Sequence, residues 1–145
     1  MEIIEILEKA TLLEDFERGS AQDTSSIVEI EKKLDLKLPE SYVEILHRYG
    51  YISCIRGDIY GVSNDPYFDV VKKNIMIRNE ILPDDFHSLP DDAFVIDKYM
   101  GGGYYMLFGK DSKRAGQVAL FLDETYNMED TAWPNLESFL EYYYF

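Results

Sequence analysis

The feature that most constrains the fold is the segment 26–50, SIVEIEKKLDLKLPESYVEILHRYG, which predicts two short helices joined at a proline. Ser26 and Glu29 have the spacing of a capping box, in which each side chain satisfies a free amide at the start of a helix. Pro39 suits the first position of the second helix, because its φ is fixed and it carries no N–H. Gly50 predicts the end of that helix, since glycine adopts positive φ at little cost.

Apolar side chains recur along both helices with the spacing of a single buried face. In the first helix they are Ile27, Ile30 and Leu34. In the second helix the i, i+3, i+4, i+7 pattern is formed by Tyr42, Ile45, Leu46 and Tyr49. We therefore expect both helices to pack against a common core.

The rest of the chain predicts an antiparallel β-sheet and further helices. β-branched and aromatic residues predict a hairpin over 51–62 and three adjacent strands over 93–97, 104–108 and 117–122. Helical spacing predicts additional helices over 2–9, over 69–81 and from residue 134 onward. This order predicts an α+β fold in which a single antiparallel β-sheet packs against several helices.

Length and charge limit the class of protein to which the chain can belong. With 145 residues the chain has the size of one domain, which we take to span 1–145. Its 14 basic and 28 acidic residues give a net charge of −14, which repels nucleic acid and anionic membranes and attracts basic partners. The charged residues that follow Met1 are not those of a signal peptide, and no apolar run approaches the roughly 20 residues of a membrane helix. These observations favour a cytoplasmic protein.

Two acidic stretches contain no lysine or arginine. Residues 80–97 include six acids, and residues 123–145 include six more. Because the connections between neighbouring strands cluster at the ends of a sheet, we expect at least one stretch to form a negative rim with tyrosine anchors. The expected partner-binding residues are Asp84, Asp85, Asp91, Asp92, Tyr104, Asp123, Glu124, Tyr126, Glu129 and Asp130. The alternative is a solvated acidic surface that binds no partner.

No group of residues predicts catalysis, a metal or a cofactor. Gly103 and Lys110 do not have the spacing of a phosphate-binding loop. His47 and His87 lie 40 residues apart and Cys54 is the only cysteine, so neither a zinc site nor an internal disulfide can be argued. The expectation is therefore a protein that is not an enzyme, with no catalytic, cofactor-binding or metal-binding residues.

The order of these motifs resembles the SUKH superfamily, whose founding members include a yeast regulator of cell-wall assembly. The resemblance begins at Ile27, Glu31, Leu34, Leu38, Pro39, Tyr42, Leu46, Tyr49 and Gly50. It continues through DIYGV at 58–62, the helix over 70–78, the strands and glycine turn over 94–108, and WPNLESFL at 133–140. It covers nearly the whole chain from Glu2 onward.

The resemblance implies a role in binding another protein. Bacterial proteins similar to this family are commonly immunity proteins, which bind and neutralise the toxic C-terminal domain of a polymorphic toxin. Many of these toxins are nucleases, which present a basic cleft to phosphates, and an acidic protein can occupy that cleft as a nucleic-acid mimic. The expected partner is thus a cognate toxin domain, a basic nuclease, bound stoichiometrically. The eukaryotic relatives imply the alternative, a regulatory interaction module with no toxin involved.

Overall fold

The computed structural model describes residues 1–80, 89–100, 102–122 and 127–145, and for residues 127–131 it describes the backbone only. The helices are α1 (Ile3–Ala10), α2 (Thr24–Leu34), α3 (Glu40–Tyr49), α4 (Val70–Arg78) and α5 (Leu136–Tyr144). The strands are β1 (Glu17–Arg18), β2 (Ile52–Cys54), β3 (Gly57–Ile59), β4 (Ala93–Tyr99), β5 (Gly103–Phe108), β6 (Val118–Leu122) and β7 (Asn127–Trp133). None of the helices in the described part of the chain is long and apolar enough to cross a membrane.

The α+β class is confirmed, but the prediction of a single sheet is wrong. The strands form two antiparallel sheets, a smaller one in the order β1-β2-β3 and a larger one in the order β4-β5-β6-β7. The predicted hairpin has strands of three residues each, and after β3 the chain meets β4 through one backbone hydrogen bond, from Tyr60 N–H to the Ile96 carbonyl oxygen at 2.8 Å. One such bond does not continue a ladder, so β3 is the last strand of the smaller sheet. On the other side of the hairpin, β2 pairs with β1.

The predicted helix pair is confirmed, with corrections at both helix starts. The N-cap of α2 is Asp23, whose carboxylate accepts a hydrogen bond from the Ser26 backbone N–H at 2.9 Å. An aspartate caps a helix as well as a serine does, so α2 begins earlier than the capping box at Ser26 predicted. Pro39 is the N-cap of α3 and does not occupy its first position. Gly50 follows α3 with a φ of 75°, in agreement with the prediction.

The buried face predicted for α3 is confirmed. Tyr42 and Leu46 are completely buried. The Tyr42 hydroxyl donates a hydrogen bond to the Tyr60 carbonyl oxygen at 2.6 Å, and its ring meets Phe94 of β4 edge-on with centroids 5.0 Å apart. Burial raises the pKa of Tyr42, so the phenol remains a neutral donor. These contacts join α3 to β4 and to the residue that follows β3.

The edge of β4 that does not pair with β5 is covered by the Asn74 side chain and by the residue that follows β3. Asn74 of α4 is buried, and its Nδ2 donates to the Val70 carbonyl oxygen at 2.8 Å and the Val95 carbonyl oxygen at 3.0 Å. Its Oδ1 accepts from the Val95 N–H at 2.7 Å. Together with the bond from Tyr60 to Ile96, these contacts pair backbone groups that an edge strand would otherwise leave open.

Asp97 of β4 is a buried carboxyl group where β3, β4 and α5 meet. It is 3% exposed, and its Oδ2 accepts hydrogen bonds from the Tyr143 hydroxyl and, at 3.3 Å, from the Asp58 N–H. Burial raises the pKa of Asp97 to about 7; the charge of Asp58 adds to this rise, while the hydrogen bond from Tyr143 opposes it. At neutral pH the carboxyl is therefore only partly ionised.

Leu46→Ala should lower the free energy of unfolding by about 2–5 kcal/mol, because it leaves a cavity beneath α3. Leu12→Ala is the control, since Leu12 is 86% exposed and its truncation should change stability by less than about 0.5 kcal/mol. Urea denaturation of both variants measures the difference. A similar, small loss in the two variants would contradict the position given to α3.

Asp97→Asn should change how stability depends on pH. The pKa of Asp97 rises from 3.8 to about 7 on folding, so between those values the folded state binds more protons than the unfolded state. The carboxyl therefore stabilises the fold most below about pH 4, and that contribution is lost as the pH rises to about 7. Urea denaturation across this range should show the stability of the wild type, relative to Asp97→Asn, falling with pH. A constant or rising difference would contradict the burial of this carboxyl.

Candidate partner-binding groove

An open groove of about 550 Å³ lies where α2, the residues before β4 and the β5–β6 turn meet. Acidic side chains from all three segments line it, namely Glu31, Asp35, Asp91, Asp92 and Asp111. Two lysines, Lys32 and Lys37, are also among the described residues of its lining. Val28 and Leu36 give it an apolar part. We call this site the acidic groove.

Backbone contacts hold the walls of the acidic groove together. The Gly109 N–H donates to the Asp92 carbonyl oxygen at 2.8 Å, and the Lys110 N–H donates to the Lys37 carbonyl oxygen at 2.8 Å. The Ser112 hydroxyl donates to Oδ2 of Asp92 at 2.7 Å. A Cβ on Gly109 would lie 3.0 Å from the Lys37 carbonyl oxygen, so glycine permits this close approach of two backbones.

Arg78 fixes the segment that leads into β4. Its guanidinium donates to the carbonyl oxygens of Leu89 at 3.3 Å, Pro90 at 2.9 Å and Ala93 at 2.5 Å. Burial lowers the pKa of Arg78 and the charge of Asp91 opposes that change, but a guanidinium stays protonated in proteins. A permanent cation at the end of α4 thus orients the backbone on which Asp91 and Asp92 lie.

The carboxylates of the acidic groove differ in whether they form hydrogen bonds within the protein. Glu31 accepts a hydrogen bond from the Leu38 N–H at 2.8 Å. Asp35 ends α2 in the left-handed conformation with a φ of 55°. The side chains of Asp35, Asp91 and Asp111 form no hydrogen bond or salt bridge with any residue that the structure describes. These carboxylates are exposed and can face a partner.

The acidic groove carries an excess of negative charge, with five acids against two lysines in its described lining. Within residues 1–80, 89–100, 102–122 and 127–145, no three His, Cys, Asp or Glu side chains come close enough to hold a metal. Its carboxylates are spread over three segments of the chain. Charges arranged in this way attract the lysine and arginine side chains of a protein surface.

The structure describes the side chains of Asp91, Asp92 and Tyr104 among the predicted partner-binding residues. Asp91 and Asp92 are exposed at the acidic groove. Tyr104 is half-buried on β5, four residues or about 14 Å from Phe108, where that strand reaches the groove. The structure therefore does not bring Tyr104 together with the two aspartates.

The other predicted residues stay predictions. Glu129 and Asp130 lie on β7, where only the backbone is described. The remaining five lie outside the described residues, namely Asp84, Asp85, Asp123, Glu124 and Tyr126. Leu122 and Asn127 flank the connection between β6 and β7, and they pair with each other at the end of the larger sheet opposite the groove.

Sequence reasoning missed three acids of the groove, Glu31, Asp35 and Asp111. Glu31 and Asp35 belong to the helix pair, where the sequence predicts only that charged side chains face the solvent. Asp111 follows Lys110 in a turn whose neighbouring charges are mostly basic. The only local signal was Gly109 directly after a strand, a position where backbones often approach closely.

The fold is an acidic α+β domain with an open groove whose described lining holds five acids and two lysines. The family model described as SUKH_5, SMI1-KNR4 cell-wall, matches residues 1–144. The chain belongs to this family, so the resemblance to the SUKH superfamily is confirmed. Domains of the family are known as immunity or regulatory domains. Comparison with curated proteins gave no match.

Arg78→Met should lower the free energy of unfolding by about 1–3 kcal/mol, because the carbonyl groups in front of β4 lose a charged donor. It should also speed amide exchange at residues 91–93. Arg48→Met is the matched control, since Arg48 forms an exposed salt bridge to Glu44 at 3.0 Å, worth at most about 1 kcal/mol. If both substitutions have the same small effect in urea and exchange experiments, Arg78 does not fix this segment.

Proposed function

We propose that this protein is an immunity protein that binds the toxic C-terminal domain of a cognate polymorphic bacterial toxin. Neutralisation occurs by stoichiometric occlusion of the toxin's active cleft. Membership of the SUKH family supports a binding role. The acidic groove is the observation that carries the proposal, because it presents Asp91 and Asp92 beside acids from α2 and the β5–β6 turn.

The chemistry of the groove favours a basic nuclease as the toxin domain. A nuclease binds phosphates with lysine and arginine side chains, and carboxylates can take the place of those phosphates. The net charge of −14 attracts such a domain over long range and accelerates association. Carboxylates that become desolvated against an arginine then slow dissociation, and losing one can cost about 2–5 kcal/mol.

Occlusion requires no chemical step by the immunity protein. The proposal therefore assigns it no catalytic residue, cofactor or metal, and places its action in the cytoplasm, where a nuclease meets its substrates. The name of the family refers to the cell wall. That name supports a second candidate, a regulatory protein-interaction module that uses the same surface for a cellular partner. An adjacent toxin gene distinguishes the first candidate from the second.

The test is co-purification with the C-terminal domain of the adjacent toxin, followed by nuclease assays at increasing molar ratio. We expect a 1:1 complex and complete inhibition at equivalence. A toxin domain that remains active with excess protein, or that does not bind it, would overturn the proposal.

Asp91→Asn/Asp92→Asn should slow association with that toxin domain by about ten-fold at low salt and weaken its salt dependence, because two steering charges are lost. Glu5→Gln/Glu8→Gln is the control, since it removes the same charge from exposed positions of α1 outside the groove. Stopped-flow kinetics measures both. Equal rates for the two double variants would show that the groove does not face the toxin domain.

The corresponding change of Asp123, Glu124, Glu129 and Asp130 to Asn and Gln tests the second acidic stretch in the same assay. A slower rate in that variant alone would move the binding surface from the acidic groove to the second acidic stretch.

A further inference from the structure

The acidic groove continues into a second groove along α2. The second groove has a volume of about 720 Å³ and lies between the start of α1, α2 and α3. Both grooves are lined by Val28, Glu31 and Lys37, so they form one surface. Across the described residues that line the two grooves, acids outnumber lysines nine to three, and Lys110 is paired with Glu40 at 3.7 Å.

One face of α2 runs through both grooves. Its lining residues follow the i, i+3, i+4, i+7, i+8, i+11 spacing of a single helix face, and they are Thr24, Ile27, Val28, Glu31, Lys32 and Asp35. From Thr24 to Asp35 this face is about 17 Å long. That length matches about five residues of an extended chain, at about 3.4 Å for each residue.

Val28 stands at the centre of this face. It is an aliphatic side chain that is 42% exposed, and it lies where the two grooves join. Acids lie on both sides of it, with Asp91 and Asp111 in one groove and Glu2 and Glu137 in the other. A partner that complements this surface carries positive charges at its ends and an apolar side chain between them.

We propose that the occupant of the joined grooves is a single basic segment of the protein partner, with an aliphatic residue seated on Val28. This inference rests on the proposed function, since it specifies which part of the toxin domain the groove binds. The aliphatic contact gives selectivity that charge alone lacks, because any polycation satisfies the carboxylates, whereas the apolar contact requires one residue at one position.

The probe is a capped five-residue peptide with two lysines, two arginines and a central leucine, compared with the same peptide carrying glycine at its centre. We expect the leucine peptide to shift amide NMR signals along α2 and residues 109–112, and to bind about five-fold more tightly than the glycine peptide, because it buries apolar surface on Val28. Val28→Ser should abolish this preference and leave the affinity for the glycine peptide unchanged.

Ile75→Ser is the matched control, because Ile75 is an aliphatic residue of α4 that is 48% exposed and lies outside both grooves. It should preserve the preference for leucine. Equal affinities of the two peptides for the wild type, or no shifts along α2 at millimolar peptide, would overturn the inference.

The toxin domain separates this inference from the proposed function. If the domain is bound and neutralised with the same affinity by the wild type and Val28→Ser, the inference fails and the function stands. If the peptides behave as expected and no toxin domain is bound, the groove accepts basic segments and the immunity function fails.

Discussion

The larger sheet depends on hydrogen bonds to the backbone groups of β4 on the side that does not pair with β5. An edge strand leaves backbone groups unpaired, and a buried polar group without a partner costs about 1–3 kcal/mol. Asn74 pairs with both backbone groups of Val95, and Tyr60 donates to the carbonyl oxygen of Ile96. These contacts end the larger sheet at β4, and they hold α4 and the smaller sheet against it.

The acidic groove follows from the same contacts. The helix that Asn74 anchors ends at Arg78, whose guanidinium bonds the carbonyl groups in front of β4. That segment places Asp91 and Asp92 beside Gly109, and the missing side chain of Gly109 lets the α2–α3 connection approach. Acids from separate segments therefore share one groove because packing against β4 brings them together.

Local rules account for the part of the fold that could be predicted. The apolar spacing of α3 and the glycine at its end are local, and both predictions were confirmed. The division into two sheets depends on the contact between Asn74 and Val95. These residues lie 21 positions apart in the sequence, and the spacing of apolar residues cannot predict such a contact. The strand β7, with the sequence NMEDTAW, was missed because acids take the place of β-branched residues. Charge composition predicted Asp91 and Asp92 as partner-binding residues, and that role stays a prediction. It did not predict that packing places Glu31, Asp35 and Asp111 beside them in one groove.

The central claim is that a basic protein domain occupies the acidic groove. Hydrogen exchange of the 1:1 complex with the adjacent toxin's C-terminal domain tests it most directly, because exchange reports contacts on every backbone segment at once. The account predicts slower exchange over residues 31–38, 91–93 and 109–112 when the domain binds. Protection confined to the exposed aromatic surface around Tyr142 of α5, with unchanged exchange in those three segments, would contradict it.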